Sequence, residues 1–122
     1  MKRDNMVRLT RFKVLEKRRQ VEQLELMLEE FSRMAGELDA QILNEEKKSG
    51  ITDINHFAYS TFAKAARLRR DNLQNSAKDL KVQINAARLS LEEAQAELEN
   101  AEKMEQRDGH RDDHEPRRSA IA

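Results

Sequence analysis

Residues 63–101 read AKAARLRRDNLQNSAKDLKVQINAARLSLEEAQAELENA, and their apolar spacing decides the fold. Alternating steps of three and four from Ala63 land on Ala66, Arg70, Leu73, Ala77, Leu80, Ile84, Ala87, Leu91, Ala94, Leu98 and Ala101, all apolar except Arg70. A repeat of 3.5 residues sustained this long is the pattern of a coiled-coil helix. The first half obeys the same rule, through Val7, Thr10, Val14, Lys17, Val21, Leu24, Leu28, Phe31, Ala35, Leu38 and Ile42. Between the halves lies Lys47-Lys48-Ser49-Gly50-Ile51-Thr52-Asp53-Ile54-Asn55-His56, where Gly50 suits a left-handed helix end and Thr52 or Asp53 suits a new cap. The chain is therefore expected to fold back as an all-α, two-helix antiparallel coiled-coil hairpin. Helix 1 is expected at about 5–48, the turn at about 49–56 and helix 2 at about 57–107, with a later start after Ser60 left open. The polar stretch 108–122, with Gly109 and Pro116, has nothing to bury and is expected to be disordered.

Composition supports this reading. Charged residues make up 38% of the 122 residues, with four Phe, one Tyr, no Trp and only four Gly and Pro together, which suits solvated helices better than a layered globule. Lysine plus arginine equals aspartate plus glutamate at 23 each, so no overall charge draws the chain to nucleic acid or anionic lipid. Cysteine is absent, which removes disulfides and thiolate metal sites and fits a reducing compartment. No apolar run of signal-peptide or membrane-spanning length is visible, and the cytoplasm is the expected location.

The charge is blocked along the chain. Residues 1–20 carry net +6, 21–46 net −7, 47–81 net +5 and 82–107 net −3. A hairpin lays each basic block beside an acidic one, whereas a parallel in-register dimer would stack like on like. Each exposed pair contributes only about 0.2–1 kcal/mol, so the blocks select orientation more than they stabilise. Folding about residue 52 pairs Val7 with Leu98, Val14 with Leu91, Val21 with Ile84, Leu24 with Leu80, Leu28 with Ala77, Phe31 with Leu73 and Leu38 with Ala66. Lys17 and Arg70 then face Ala87 and Ala35, with their stems packed and their heads reaching solvent. The expected structural core is Val21, Leu24, Leu28, Phe31, Leu38, Leu73, Leu80, Ile84, Leu91 and Leu98. A helix of about 45 residues would measure roughly 65–70 Å.

No nucleophile elbow, phosphate loop, dinucleotide fingerprint or zinc ligand set is present, so no catalytic, cofactor or metal role is expected. His110 and His114, four apart beside Asp112 and Asp113, have a helical metal spacing but lie in the expected tail, where a solvated reading is preferred. The basic runs Arg8 to Arg19 and Lys64 to Arg70 have acidic counterparts across the hairpin and, beside the first, no stacking aromatics, which disfavours nucleic acid. His56, Phe57, Tyr59 and Phe62 concentrate aromatic side chains at the turn. They either cap the open end, with Phe62 near Ile42, or form a binding hot spot, and both readings are compatible.

Two segments resemble the FliJ family of flagellar type III export proteins. One is MVRLTRFKVLEKRRQVEQLE at residues 6–25, and the more specific is GITDINHFAYSTFAKAARLRRDNL at 50–73. The similarity spans about residues 5–107. It implies a non-enzymatic coiled coil that docks in the export ATPase ring and contacts the membrane export gate and export chaperones, peripheral to the inner membrane at the flagellar base. Gly50, Ile51, Thr52, Tyr59 and Phe62 match the family's post-turn pattern, whereas Ala66, Arg69 and Leu73 follow it in variant form. Tyr59, Phe62, Arg69 and Arg70 are the candidate partner-binding residues. A generic coiled-coil scaffold unrelated to flagella is the rival reading.

Overall fold

The computed structural model describes the backbone of residues 2–121 and the side chains of residues 5–109. Two helices account for it, α1 at Lys2–Ser49 and α2 at Thr61–Ile121, and there is no strand among the described residues. The protein is an all-α helical hairpin. No helix among the described residues is long and apolar enough to cross a membrane. The expected disorder of 108–122 concerns residues of which 110–122 fall outside the described side chains.

Every heptad position named from the sequence is buried or half-buried, including the two charged ones, Lys17 and Arg70. Val7, Val14, Val21, Ala35 and Ile42 of α1 are buried, as are Ala63, Ala66, Leu80, Ile84, Ala87, Ala94 and Ala101 of α2. The expected core therefore forms, but unevenly. Of its ten residues, Val21, Leu80 and Ile84 are buried, while Leu24, Leu28, Phe31, Leu38, Leu73, Leu91 and Leu98 are half-buried. The reason is geometric: two helices cover each other along one seam, and most of its leucines, with Phe31, keep part of the side chain in water, whereas the valines, the isoleucines and most of the alanines are covered.

Two compact units divide the hairpin. One comprises Met1–Val21 with Ala86–Ala122, and the other Glu22–Asn85. In the first, Lys13 Nζ donates to Glu97 Oε2 at 3.2 Å and Arg11 approaches Glu102 at 4.0 Å. In the second, Arg70 Nη1 donates to Asp39 Oδ1 at 2.9 Å, and Arg67 Nη2 to Glu46 Oε2 at 3.1 Å. Basic blocks thus meet acidic ones, as the charge pattern requires. Arg33 of the acidic block is held within its own helix by Glu30 and Glu37.

These pairs correct the expected register. A fold about residue 52 sets Val14 opposite Leu91, yet the neighbouring Lys13 reaches Glu97. It sets Leu38 opposite Ala66, yet the neighbouring Asp39 reaches Arg70. Helical side chains lean toward their own N-terminus, which explains about two positions of such an offset, and the remainder is a shift of the pairing itself. A single register meets the ion pairs and the burial together: Val7 opposite Ala101, Val14 opposite Ala94, Val21 opposite Ala87, Leu28 opposite Leu80, Ala35 opposite Leu73 and Ile42 opposite Ala66. Here a step of three on α1 always faces a step of three on α2, so the layers stay level. The register about residue 52 opposes threes to fours. In the shifted register Lys17 and Arg70 face Leu91 and Leu38 rather than Ala87 and Ala35. An open groove in the second unit is lined by Phe31, Ala35, Leu73 and Ala77.

The absence of native cysteine makes the register testable by crosslinking. Val14→Cys with Ala94→Cys should form an intramolecular disulfide on mild oxidation, and Val14→Cys with Leu91→Cys should form it at least tenfold more slowly, because a bridge needs Cα atoms about 4.4–6.8 Å apart. Ile84→Ala should destabilise the hairpin by about 2–4 kcal/mol, read from denaturant unfolding followed by helical circular dichroism.

Candidate binding site at the hairpin tip

α1 stops at Ser49 because Gly50 takes a φ of 72° and donates its N–H to Glu46 O at 2.9 Å, closing the last turn in the left-handed conformation that glycine adopts without strain. The Ser49 hydroxyl then accepts the Ile51 N–H at 3.2 Å. Asp53 Oδ1 accepts from Asn55 N–H at 3.0 Å, and Asp53 O accepts from His56 N–H at 3.1 Å. His56 O accepts from Tyr59 N–H at 3.0 Å, while His56 Nδ1 accepts from Ala58 N–H at 3.0 Å. Each bond is local, so the segment is folded by its own side chains rather than by packing. Ser60 ends it as the N-cap of α2, accepting Ala63 N–H on its Oγ at 3.1 Å. Helix 2 therefore begins at Thr61 rather than about residue 57, and the connection is longer than the expected 49–56.

Beneath this segment three side chains close the end of the seam. Tyr59 and Glu46 are buried, as are Ile42, Ala63 and Ala66. Arg67 Nε donates to the Tyr59 hydroxyl at 2.8 Å, the hydroxyl donates to Glu46 Oε2 at 3.2 Å, and Arg67 Nη2 donates to the same oxygen at 3.1 Å. The guanidinium also lies 5.9 Å from the Tyr59 ring centre. The Tyr59 hydroxyl, then the Glu46 carboxylate, raise the Arg67 pKa above its ordinary value, so the cation is fixed. A buried carboxylate is tolerated because its charge is paired and hydrogen-bonded. The Ser60 hydroxyl adds a long contact of 3.5 Å to Glu45.

Other apolar side chains of the tip are exposed instead. Phe57 is 96% exposed and stacks on His56 with ring centres 4.7 Å apart. Ile54 and Phe62 are also exposed. The tip thus combines a polar triad that fixes the connection with exposed apolar side chains at Ile54, Phe57 and Phe62.

The four candidate partner-binding residues split accordingly. Phe62 and Arg69 are exposed and available. Tyr59 is buried in the triad, and Arg70 is held by Asp39 at 2.9 Å and Asp71 at 3.1 Å. Of the two readings of the turn aromatics, capping describes Tyr59 and exposure describes Phe57 and Phe62. Glu46 and Arg67 were not singled out as a pair, and Phe57 stood only among the turn aromatics. Glu46 and Arg67 carry no sequence signal beyond membership of opposite charge blocks, whereas Phe57 was in view and was passed over for Tyr59. No group of residues suited to a metal ion occurs among the described residues, and His110 and His114 lie outside the described side chains.

Glu46→Ala should cost about 1–3 kcal/mol, because it strips a partner from both Tyr59 and Arg67, and Tyr59→Phe about 0.5–1.5 kcal/mol. A double-mutant cycle between Glu46 and Arg67 should return a coupling of at least about 0.5 kcal/mol, and additive losses would mean the triad is not a unit.

No family model matches the chain, and no significant match is found among curated proteins or solved structures.

Proposed function

We propose that this chain is a non-enzymatic, partner-binding component of the bacterial flagellar type III export apparatus, at the cytoplasmic face of the inner membrane. Its helical surfaces engage the export ATPase ring, and its tip engages the membrane export gate or the export chaperones. The observation that carries the binding role is the tip itself: three large apolar side chains held outward on a connection fixed by a buried polar triad. Exposing a phenylalanine almost fully is unfavourable to the free protein and favours a partner that covers it, since binding energy concentrates in a few apolar anchors presented on rigid supports. The assignment to flagellar export rests on the resemblance of residues 6–25 and 50–73, the second of which contains this tip.

In this reading Phe57 and Phe62 are the anchors, and Arg69, two turns along α2 from Phe62, adds charge on the same helix face. The helices work mechanically or conformationally on another protein's active site, and the chain needs no cofactor.

The test is co-elution of the purified chain with the export ATPase of its source organism, with ATP hydrolysis measured alongside. Binding to the cytoplasmic region of the export gate is titrated separately. Association with stimulated hydrolysis is expected. Phe57→Ala with Phe62→Ala should weaken gate binding at least tenfold while leaving the thermal midpoint unchanged. A folded hairpin that binds neither the ATPase nor the gate would refute the export reading and leave the rival scaffold.

A further inference from the structure

The open groove of the second unit leaves two large seam residues, Phe31 and Leu73, only half-buried. Its two lips differ in charge. Lys78 and Lys81 line the α2 side, whereas Ser32 and Gly36 line the α1 side, and Glu29 shares their helix face, three residues before one and seven before the other. Glu29, Lys78 and Lys81 are exposed, and none of them has an ion pair or hydrogen bond among the described residues. Asp39, the acid that lines the groove itself, is already held by Arg70 at 2.9 Å. In the register with Leu28 opposite Leu80, Glu29 is level with residue 79, between the two lysines, yet the chain pairs it with neither. Gly36 stands in mid-helix, where glycine is less favourable than alanine, and a Cβ placed there would meet nothing within 4 Å. No close approach inside the chain accounts for it.

We propose that this groove is the interface of a homodimer, in which a second copy of the chain docks groove to groove about a two-fold axis parallel to the helices. That axis lays α1 of each copy along α2 of the other, and every neighbouring pair of helices is then antiparallel, as in an up-down four-helix bundle. A rotation about it preserves level along the helices, so Glu29 of each copy comes beside Lys78 and Lys81 of the other, and the contact occurs twice. This self-complementarity is what selects a second copy. The acid and the two bases are unpaired, level with one another and on opposite lips, so one isologous contact satisfies all of them. A two-fold axis across the helices would instead lay α1 on α1 and oppose Glu29 to the acidic block 21–46, which like charge disfavours. Docking covers the edges of Phe31 and Leu73, and the missing side chain at Gly36 lets α2 of the other copy approach closely. All these residues belong to the second unit. The interface is independent of the tip, and it stands or falls without the export assignment.

The experiment measures the mass of the full chain by sedimentation equilibrium from about 1 to 500 µM, where a monomer–dimer equilibrium is expected. Two charge-reversed variants are run alongside. Glu29→Lys, and separately Lys78→Glu with Lys81→Glu, should each raise the dimer dissociation constant at least tenfold, with helical content unchanged because all three positions are exposed and unpaired. An equimolar mixture of the two variants should recover the dimer, since in the mixed dimer each reversed lip meets the other reversed lip and each native lip a native one. Gly36→Leu should weaken the dimer at least tenfold while raising the thermal midpoint of the dilute monomer, because it fills the groove and improves the helix. A chain that stays monomeric throughout this range would overturn the proposal and leave the groove to a different partner. A dimer indifferent to charge reversal, or one that mixing does not restore, would overturn it as well.

Discussion

The structure depends on one narrow seam in which small residues of α2 admit the β-branched residues of α1. Val7, Val14 and Val21 are buried while the alanines opposite them, Ala101, Ala94 and Ala87, are buried too. Alanine brings the helices close, and closeness lets a valine be covered fully by a single neighbour. Larger layers, such as Leu28 with Leu80, leave part of a side chain in water. A two-helix fold has no third element to cover them. Apolar burial of about 25 cal/mol per Å² is therefore drawn from a thin strip, and the helices gain their order from being long and continuous rather than from a deep core.

Several features follow from this thinness. The ion pairs across the helices sit at the seam's edges and steer pairing, with Lys13 and Glu97 in one unit and Arg70 and Asp39 in the other. The end of the seam would be open to water at the turn, and there the chain places its buried polar cluster, Tyr59 with Glu46 and Arg67. A satisfied triad closes the end and also specifies one conformation, because any slip of register separates the three groups. Outside the seam the chain retains exposed phenylalanines at two places, Phe12 on α1 and Phe57 with Phe62 at the tip. Burying them internally would require a third helix.

Much of the fold was legible because the heptad repeat is nearly unbroken, and Arg70 and Lys17 were correctly placed at seam positions despite their charge. The register was not. Locating the fold at residue 52 assumed a turn centred near Gly50 to His56, while the real connection extends to the Ser60 cap, and every layer moved with it. Equal stepping of threes against threes would have exposed the error from sequence alone. The tip was legible as an aromatic cluster but not in its roles. Whether Tyr59 or Phe57 faces inward depends on local turns set by Asp53 and His56, which hydrophobic periodicity does not report. Arg70 was assigned to a partner because its acceptor, Asp39, becomes its neighbour only once the true register is known.

The central claim is a hairpin closed within one chain, in this register. Pulsed electron-spin distance measurement between labels at Arg19 and Leu89, both exposed and in the same unit, tests it most directly. Labelled chain diluted into an excess of unlabelled chain should give one narrow, short distance. Along an unfolded-back helix the same two positions would stand about 100 Å apart at 1.5 Å per residue. Loss of the short distance on dilution, or a broad distribution, would contradict the account.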